Sequence, residues 1–184
     1  MRAGTLRVAI AALAGSFSLT MASCGSSHHG GGFSSVSNVT TNTGTSDPHA
    51  QNALTVLNQS RAQFGASPLT LDATLSACAL RHAQDVAACS NFGLSGFSAC
   101  AHNDFKAGDT CGANAENQGV ASSVTTSTED SAFDSINTSM MSEGPPPPGQ
   151  DNHFLNITNP SYTTCGVGLF IDMNGNLWVS EEFK

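Results

Sequence analysis

Four histidines stand in the part of the chain that reads as folded: His49, His82, His102 and His153. Imidazole titrates near neutrality and ligates metals, so each is a candidate for chemistry. Context separates them. His49 begins a helical pattern and is expected to be solvated. His82 falls on the apolar face of a second helix and is expected to be a hydrogen-bonded core residue. His102, in CAHND, and His153, in DNHFLN, sit in loops bordering ordered elements, where functional side chains concentrate. Two carboxylates are placed similarly. Glu116 lies in ANAENQ among small residues, and Glu143 ends a helix, where its charge opposes the macrodipole. Two imidazoles and two carboxylates can hold a divalent metal with water completing the shell, or act as acid and base. Spacing alone does not choose between that and four unrelated polar residues, because no HExxH, GxSxG, GxGxxG or P-loop pattern is present.

The elements that would position these residues are readable. PHAQNALTVLNQSRAQFG places Ala53, Leu57, Arg61 and Phe64 at helical spacing, with Leu54 alongside and Gly65 as the stop. ASPLTLD is an extended connector. Asp72 is the expected N-cap of ATLSACALRHAQDVAAC, in which Leu75, Cys78, Ala79, His82, Val86 and Cys89 share a face. Thr126 to Glu129 matches a capping box for a third helix, whose buried stripe is Phe133, Ile136 and Met140. GPPPPG, 144 to 149, is an exposed stiff loop. CGVGLFIDMNGNLWVSEEF is a hairpin, with Asn174-Gly175 favouring a tight primed turn. Helices followed by an antiparallel pair give an α+β class.

The chain has 184 residues, enough for one domain with a core. Residues 1–23 read as a leader: a basic MRAGTLR, a short apolar VAIAALAGSFSLTM, then small residues. Met21-Ala22-Ser23-Cys24 resembles a bacterial lipobox, so Cys24 is the expected lipidation site and membrane anchor. Residues 24–47, rich in Gly, Ser, Thr and Asn, are expected to form a tether without a core, leaving 48–184 as the domain. In the exported part, Cys78, Cys89, Cys100, Cys111 and Cys165 suggest two disulfides and one free thiol. Cys78 and Cys89 share a helix about 16 Å apart and cannot bridge. Cys89–Cys100 would close a short loop; the other pairing stays open. A net charge of −8 repels phosphate backbones and argues against nucleic acid.

The series LNQSRAQFGASPLTLDATLSACALRHAQD, CAHND, NAENQGVA, SMMSE, NHFLNITNPSYTTCGVGL and LWVSEEF resembles the CAP superfamily of SCP-like extracellular domains. The resemblance implies a three-layer α–β–α sandwich with a central antiparallel sheet. It also implies a cavity in which His102 and His153 ligate a divalent metal, zinc among the choices, while Glu116 and Glu143 orient them or a bound water. Ala115 stands where the family usually has glycine before its Glu-Asn pair, and Met140-Met141 where Trp is common. Two functions are compatible with this reading. One is a lipid-anchored envelope module that binds a lipid, glycan or cell-wall ligand. The other is a metal-dependent hydrolase of peptide or cell-wall material, with Glu116 or Glu143 as general base.

Overall fold

The computed structural model describes residues 8–10, 40–41 and 44–184. Cys24, and with it nearly all of the expected leader and tether, lies outside them. In chain order the elements begin with two short strands, β1 (Val8–Ile10) and β2 (Thr40–Thr41). They continue with α1 (Pro48–Gln63), β3 (Thr70–Leu71), α2 (Ala73–Cys89), α3 (Phe97–Cys100), α4 (Asn103–Lys106) and β4 (Ala115–Ala121). The chain closes with α5 (Glu129–Ser142), α6 (His153–Thr158), β5 (Thr164–Ile171) and β6 (Leu177–Phe183). No described helix is long and apolar enough to cross a membrane.

The sheet runs β1-β4-β6-β5-β2 and is antiparallel along that path, with β3 added to β5 in parallel. Two of these pairings fall in segments expected to lie outside the domain. Val8–Ile10 pairs with Gly119–Ala121, and Thr40–Thr41 pairs with Phe170–Ile171. Helix α2 packs on one face of β5 and β6, while α1, α5 and α6 pack together on the other side. This is a three-layer sandwich of the α+β class. Strands β4 and β6 are buried along their whole length because both faces are covered. That explains why LWVSEEF shows no polar–apolar alternation.

Two glycines in CGVGLF set the distance between α2 and the sheet. A Cβ on Gly166 would come within 2.1 Å of the Leu75 carbonyl carbon, and one on Gly168 within 2.2 Å of that of Ala79. Both contacts are with helix backbone, so only glycine lets α2 seat this closely. The N-cap of α2 is Asp72, whose Oδ1 accepts from Leu75 N at 2.9 Å.

Three local expectations need correction. The capping box sits one residue earlier than expected, between Thr125 and Thr128, with Thr125 N donating to Thr128 Oγ1 at 2.9 Å. Glu129 is instead buried at the start of α5. The hairpin has a three-residue loop rather than a two-residue primed turn, since Asp172 N still donates to Asn176 O. Asp172 Oδ1 decides this by accepting from Asn174 N and Asn176 N, with Gly175 in the left-handed region after the turn. Finally, Phe64 is 54% exposed and packs edge-on against Phe154 rather than in the core. Arg61, by contrast, is fully buried, and its guanidinium donates to the carbonyls of Ser67, Ile157, Asn159 and Tyr162. The residue tying α1 to the end of α6 is thus a cation that caps four carbonyls.

Candidate functional site

Strand β4 organises the site. Glu116 and Gln118 project from one face toward α2 and the loop carrying His102. Asn117 projects from the other, toward α6. His102 Nδ1 lies 2.8 Å from Glu116 Oε2, and its backbone N–H donates to Gln118 Oε1 at 2.8 Å. These two contacts hold His102 at φ 64°, a left-handed conformation that side-chain-bearing residues adopt only when their surroundings impose it.

His153 is the first residue of α6, whose N-cap Asn152 accepts from Leu155 N. Glu143 reaches it from the C-terminal end of α5. One carboxylate oxygen accepts the His153 backbone N–H at 3.1 Å, and the other lies 2.6 Å from His153 Nδ1. Glu143 therefore serves as a two-point clamp, which accounts for a carboxylate placed against the α5 dipole. Asn152 Nδ2 donates to Gly144 O and draws the Pro-rich loop shut behind this clamp. Asn117 Nδ2 donates to His153 O at 3.4 Å, and Asn156 Nδ2 donates to Asn117 Oδ1 at 3.0 Å, fixing α6 to the sheet.

His102 comes from the α2 side and His153 from the opposite layer. Their rings nonetheless lie 6.3 Å apart between centroids with 33° between planes. The structure thus brings together His102, His153, Glu116 and Glu143. In each pair the glutamate takes the Nδ1 side, so the proton belongs on Nδ1 and the Nε2 lone pair is left for another partner. Two Nε2–metal bonds of about 2.0–2.1 Å, with each ring centre roughly 1.1 Å behind its nitrogen, would place two imidazoles on one tetrahedral cation about 5 Å apart, so the rings must close by about 1 Å to share one.

Behind this pair lies a layer that the sequence did not disclose. Glu116 Oε1 is 2.7 Å from His82 Nδ1 and also accepts from Gln118 Nε2 and Ser180 Oγ. Glu182, paired directly across the ladder from Glu116, lies 2.8 Å from the same His82 nitrogen, but hydrogen-bond geometry favours Glu116. Burial works against charge on Glu116, yet the hydrogen bonds from His102 and His82 override it and hold the carboxyl at about 2. Burial also works to lower His82, but Glu116 and Glu182 outweigh it and lift the imidazole to about 10. Glu182 is pushed up to about 8 by burial, against the pull of His82. His82 is fully buried and hydrogen-bonded, as its helical face indicates, and it anchors the carboxylate that holds His102. Nothing in the spacing marks Glu182, since an acidic residue near a C-terminus usually lies on the surface.

The structure closes disulfides Cys78–Cys111 and Cys89–Cys100, the second being the expected short loop, and leaves Cys165 as a free buried thiol. Two groups of possible metal donors lie within 4.8 Å of one another among the described residues: Cys78 with Asp109 and Cys111, and Cys78 with His82 and Glu182. Both contain a sulfur of the Cys78–Cys111 bond, which offers no thiolate while the bond is closed. A separate cavity of about 340 Å³ lies beside α6, lined by Asn114, Asn156, Asn159, Asp151, Tyr162 and neighbours including Leu155. It adjoins the histidine pair through Ala115 and Asn156 but does not contain it.

The profile of the cysteine-rich secretory protein family, CAP, matches residues 54–181. The chain belongs to that family. No curated protein matches the sequence. A crystal structure of hookworm platelet inhibitor is similar at a TM-score of 0.46 and 17% identity, covering 78% of this chain and 72% of that one. That similarity is too distant to bear on the chemistry of the site.

Proposed function

We propose that this CAP domain is a binding module in which His102 and His153 hold a divalent metal, Zn²⁺ being the best fit to two neutral imidazoles and water. The observation that carries the reading is the commitment of both Nδ1 atoms to carboxylates, which leaves both Nε2 atoms for a ligand. When bound, such an ion would supply a Lewis-acidic centre for an oxygen of the ligand. Glu116 and Glu143 set the tautomer and aim of the rings. Both oxygens of each glutamate already accept hydrogen bonds from the protein, and the shortest in each case is to an imidazole, which suits an orienting role better than that of a general base. This favours binding over the hydrolase alternative.

The neighbouring cavity, with its Asn, Asp, Thr and Tyr lining, favours a hydroxyl-rich ligand such as a glycan or cell-wall saccharide over a lipid tail. We further propose export and anchoring through lipidated Cys24; two closed disulfides are consistent with an oxidising compartment. Isothermal titration of the full chain with Zn²⁺ tests the metal assignment. One equivalent should bind in wild type, and heat should vanish in His102→Ala/His153→Ala. Equal binding by the double variant would place the metal elsewhere. Loss of lipid labelling in Cys24→Ala would support the anchor, and unchanged labelling would refute it.

A further inference from the structure

We propose that opening the Cys78–Cys111 disulfide creates a second metal site, in which both sulfurs, His82 and Asp109 bind a thiophilic divalent cation such as Zn²⁺. Three of these donors, on Cys78, Cys111 and Asp109, already converge, and His82 approaches Cys78 and Asp109 from α2. Cys78 Sγ lies 3.6 Å from His82 Nε2, and His82 Nε2 lies 3.9 Å from Asp109 Oδ2. Cys111 Sγ lies 3.7 Å from Asp109 Oδ1, and the Cys78, Cys111 and Asp109 donors all fall within 4.8 Å of one another. In a tetrahedral zinc site with bonds of about 2.0–2.3 Å, ligand atoms sit roughly 3.3–3.8 Å apart. The two sulfurs are closer than that because they are bonded to each other. Breaking that one bond, letting Cys111 withdraw and turning one Asp109 oxygen toward both Cys111 and His82 would let all four donors close on one ion. Cys111 can withdraw: it sits on a partly exposed loop between Gly108 and Gly112, both at positive φ.

An independent feature points the same way. His82 is turned so that Nδ1 faces Glu116 and Glu182 while Nε2 faces the sulfurs. A carboxylate behind Nδ1 is the usual support for a metal-bound imidazole. The two glutamates that stabilise a proton on this ring would equally stabilise a cation at Nε2. In the disulfide form a cation already occupies the place. Arg81 Nη2 lies 2.6 Å from Asp109 Oδ2, 3.4 Å from Cys78 Sγ and 3.3 Å from Cys111 Sγ. Its half-exposed side chain can swing to solvent when a metal arrives. Beside the sulfurs it also stabilises a leaving thiolate, which favours reduction of this bond.

The chemistry balances. A dithiol reductant gives two electrons and two protons, its own sulfurs joining as a disulfide while Cys78 and Cys111 become thiols. The cation then displaces both thiol protons to solvent, along with any proton on His82 Nε2. With a phosphine reductant, water supplies the oxygen of the phosphine oxide and the two thiol protons.

The test is Co²⁺ titration of the full chain before and after treatment with a water-soluble phosphine. Thiolate-to-cobalt charge-transfer absorption reads sulfur ligation alone and is silent on His102 and His153. The band should develop only in reduced protein, disappear in Cys78→Ser/Cys111→Ser and persist in Cys100→Ser. Asp109→Ala, at an exposed position, should weaken Co²⁺ binding by about tenfold. Arg81→Ala should bind at least as tightly as wild type. No band in reduced wild type, a band surviving Cys78→Ser/Cys111→Ser, or a band lost in Cys100→Ser would each overturn the proposal.

Discussion

Glu116 accepts hydrogen bonds at Oε1 from His82, Gln118 and Ser180 and at Oε2 from His102, so both of its oxygens are engaged inside the protein. Removing its charge weakens the hold on His102 without creating a cavity. Glu116→Gln should lower Zn²⁺ affinity about 10- to 100-fold with little change of fold, measured by competition with a chromophoric chelator. The pH dependence of stability rests on a different carboxylate. Glu181 is fully buried, Asn117 gives it one hydrogen bond, and its Oε1 meets no donor. Burial raises it from the ordinary 4.5 to about 7 despite Asn117. Its folded pKa is above its unfolded one, so the folded state holds a proton that the unfolded chain releases from about pH 4.5 upward. That stability is complete below 4.5 and is lost as pH rises through about 7. Glu181→Gln should therefore gain on wild type across that window, by on the order of 2–3 kcal/mol in urea unfolding near neutrality. A parallel pH profile for the two proteins would refute the assignment. At this scale His102, His153 and Glu116 stood out in the sequence beside breaks in regular pattern, but only the family resemblance grouped them as one site. Glu181 and Glu182 did not stand out, because a strand covered on both faces carries no alternation to reveal which acids are inside.

Among the elements, α2 and the β5–β6 hairpin carry most of the positioning. The helix was legible from Asp72 and the periodic apolar face, and the hairpin from two β-rich runs about Asn174-Gly175. The length of the hairpin loop was not, since it follows from the Asp172 carboxylate capping two backbone N–H groups. The glycines of CGVGLF were visible, but their partner across the layers was not. Gly168→Ala should force α2 outward and destabilise by about 3 kcal/mol or more, read in urea unfolding. Because His82 and Glu116 would separate, the same variant should lose Zn²⁺ binding. Normal affinity in a folded Gly168→Ala protein would show that α2 does not position the site. The Cys89–Cys100 bridge staples α2 to α3 and ends two residues before His102, so it also helps hold that histidine. Its removal in Cys100→Ser should lower stability by about 3 kcal/mol and weaken metal affinity as the His102 loop loosens.

For the whole molecule, the layered class followed from element order and the number of layers from the family resemblance. Neither shows how two layers deliver one histidine each to the edge of β4. That depends on non-local pairing: Glu116 opposite Glu182, Asn117 bonded to α6, and Arg61 fastening α1 to the carbonyls after α6. On the proposed function, these contacts aim His102 and His153 at one shared cation. Thermal unfolding of the full chain with and without Zn²⁺ tests it most directly, on wild type and on His102→Ala/His153→Ala. At about 100 times Kd, binding to the native state should add roughly 2.7 kcal/mol, a rise in Tm of about 5–10 °C for a chain of this size. The account requires that rise in wild type and its absence in the double variant. An unchanged Tm in wild type, or an equal rise in both proteins, would contradict it.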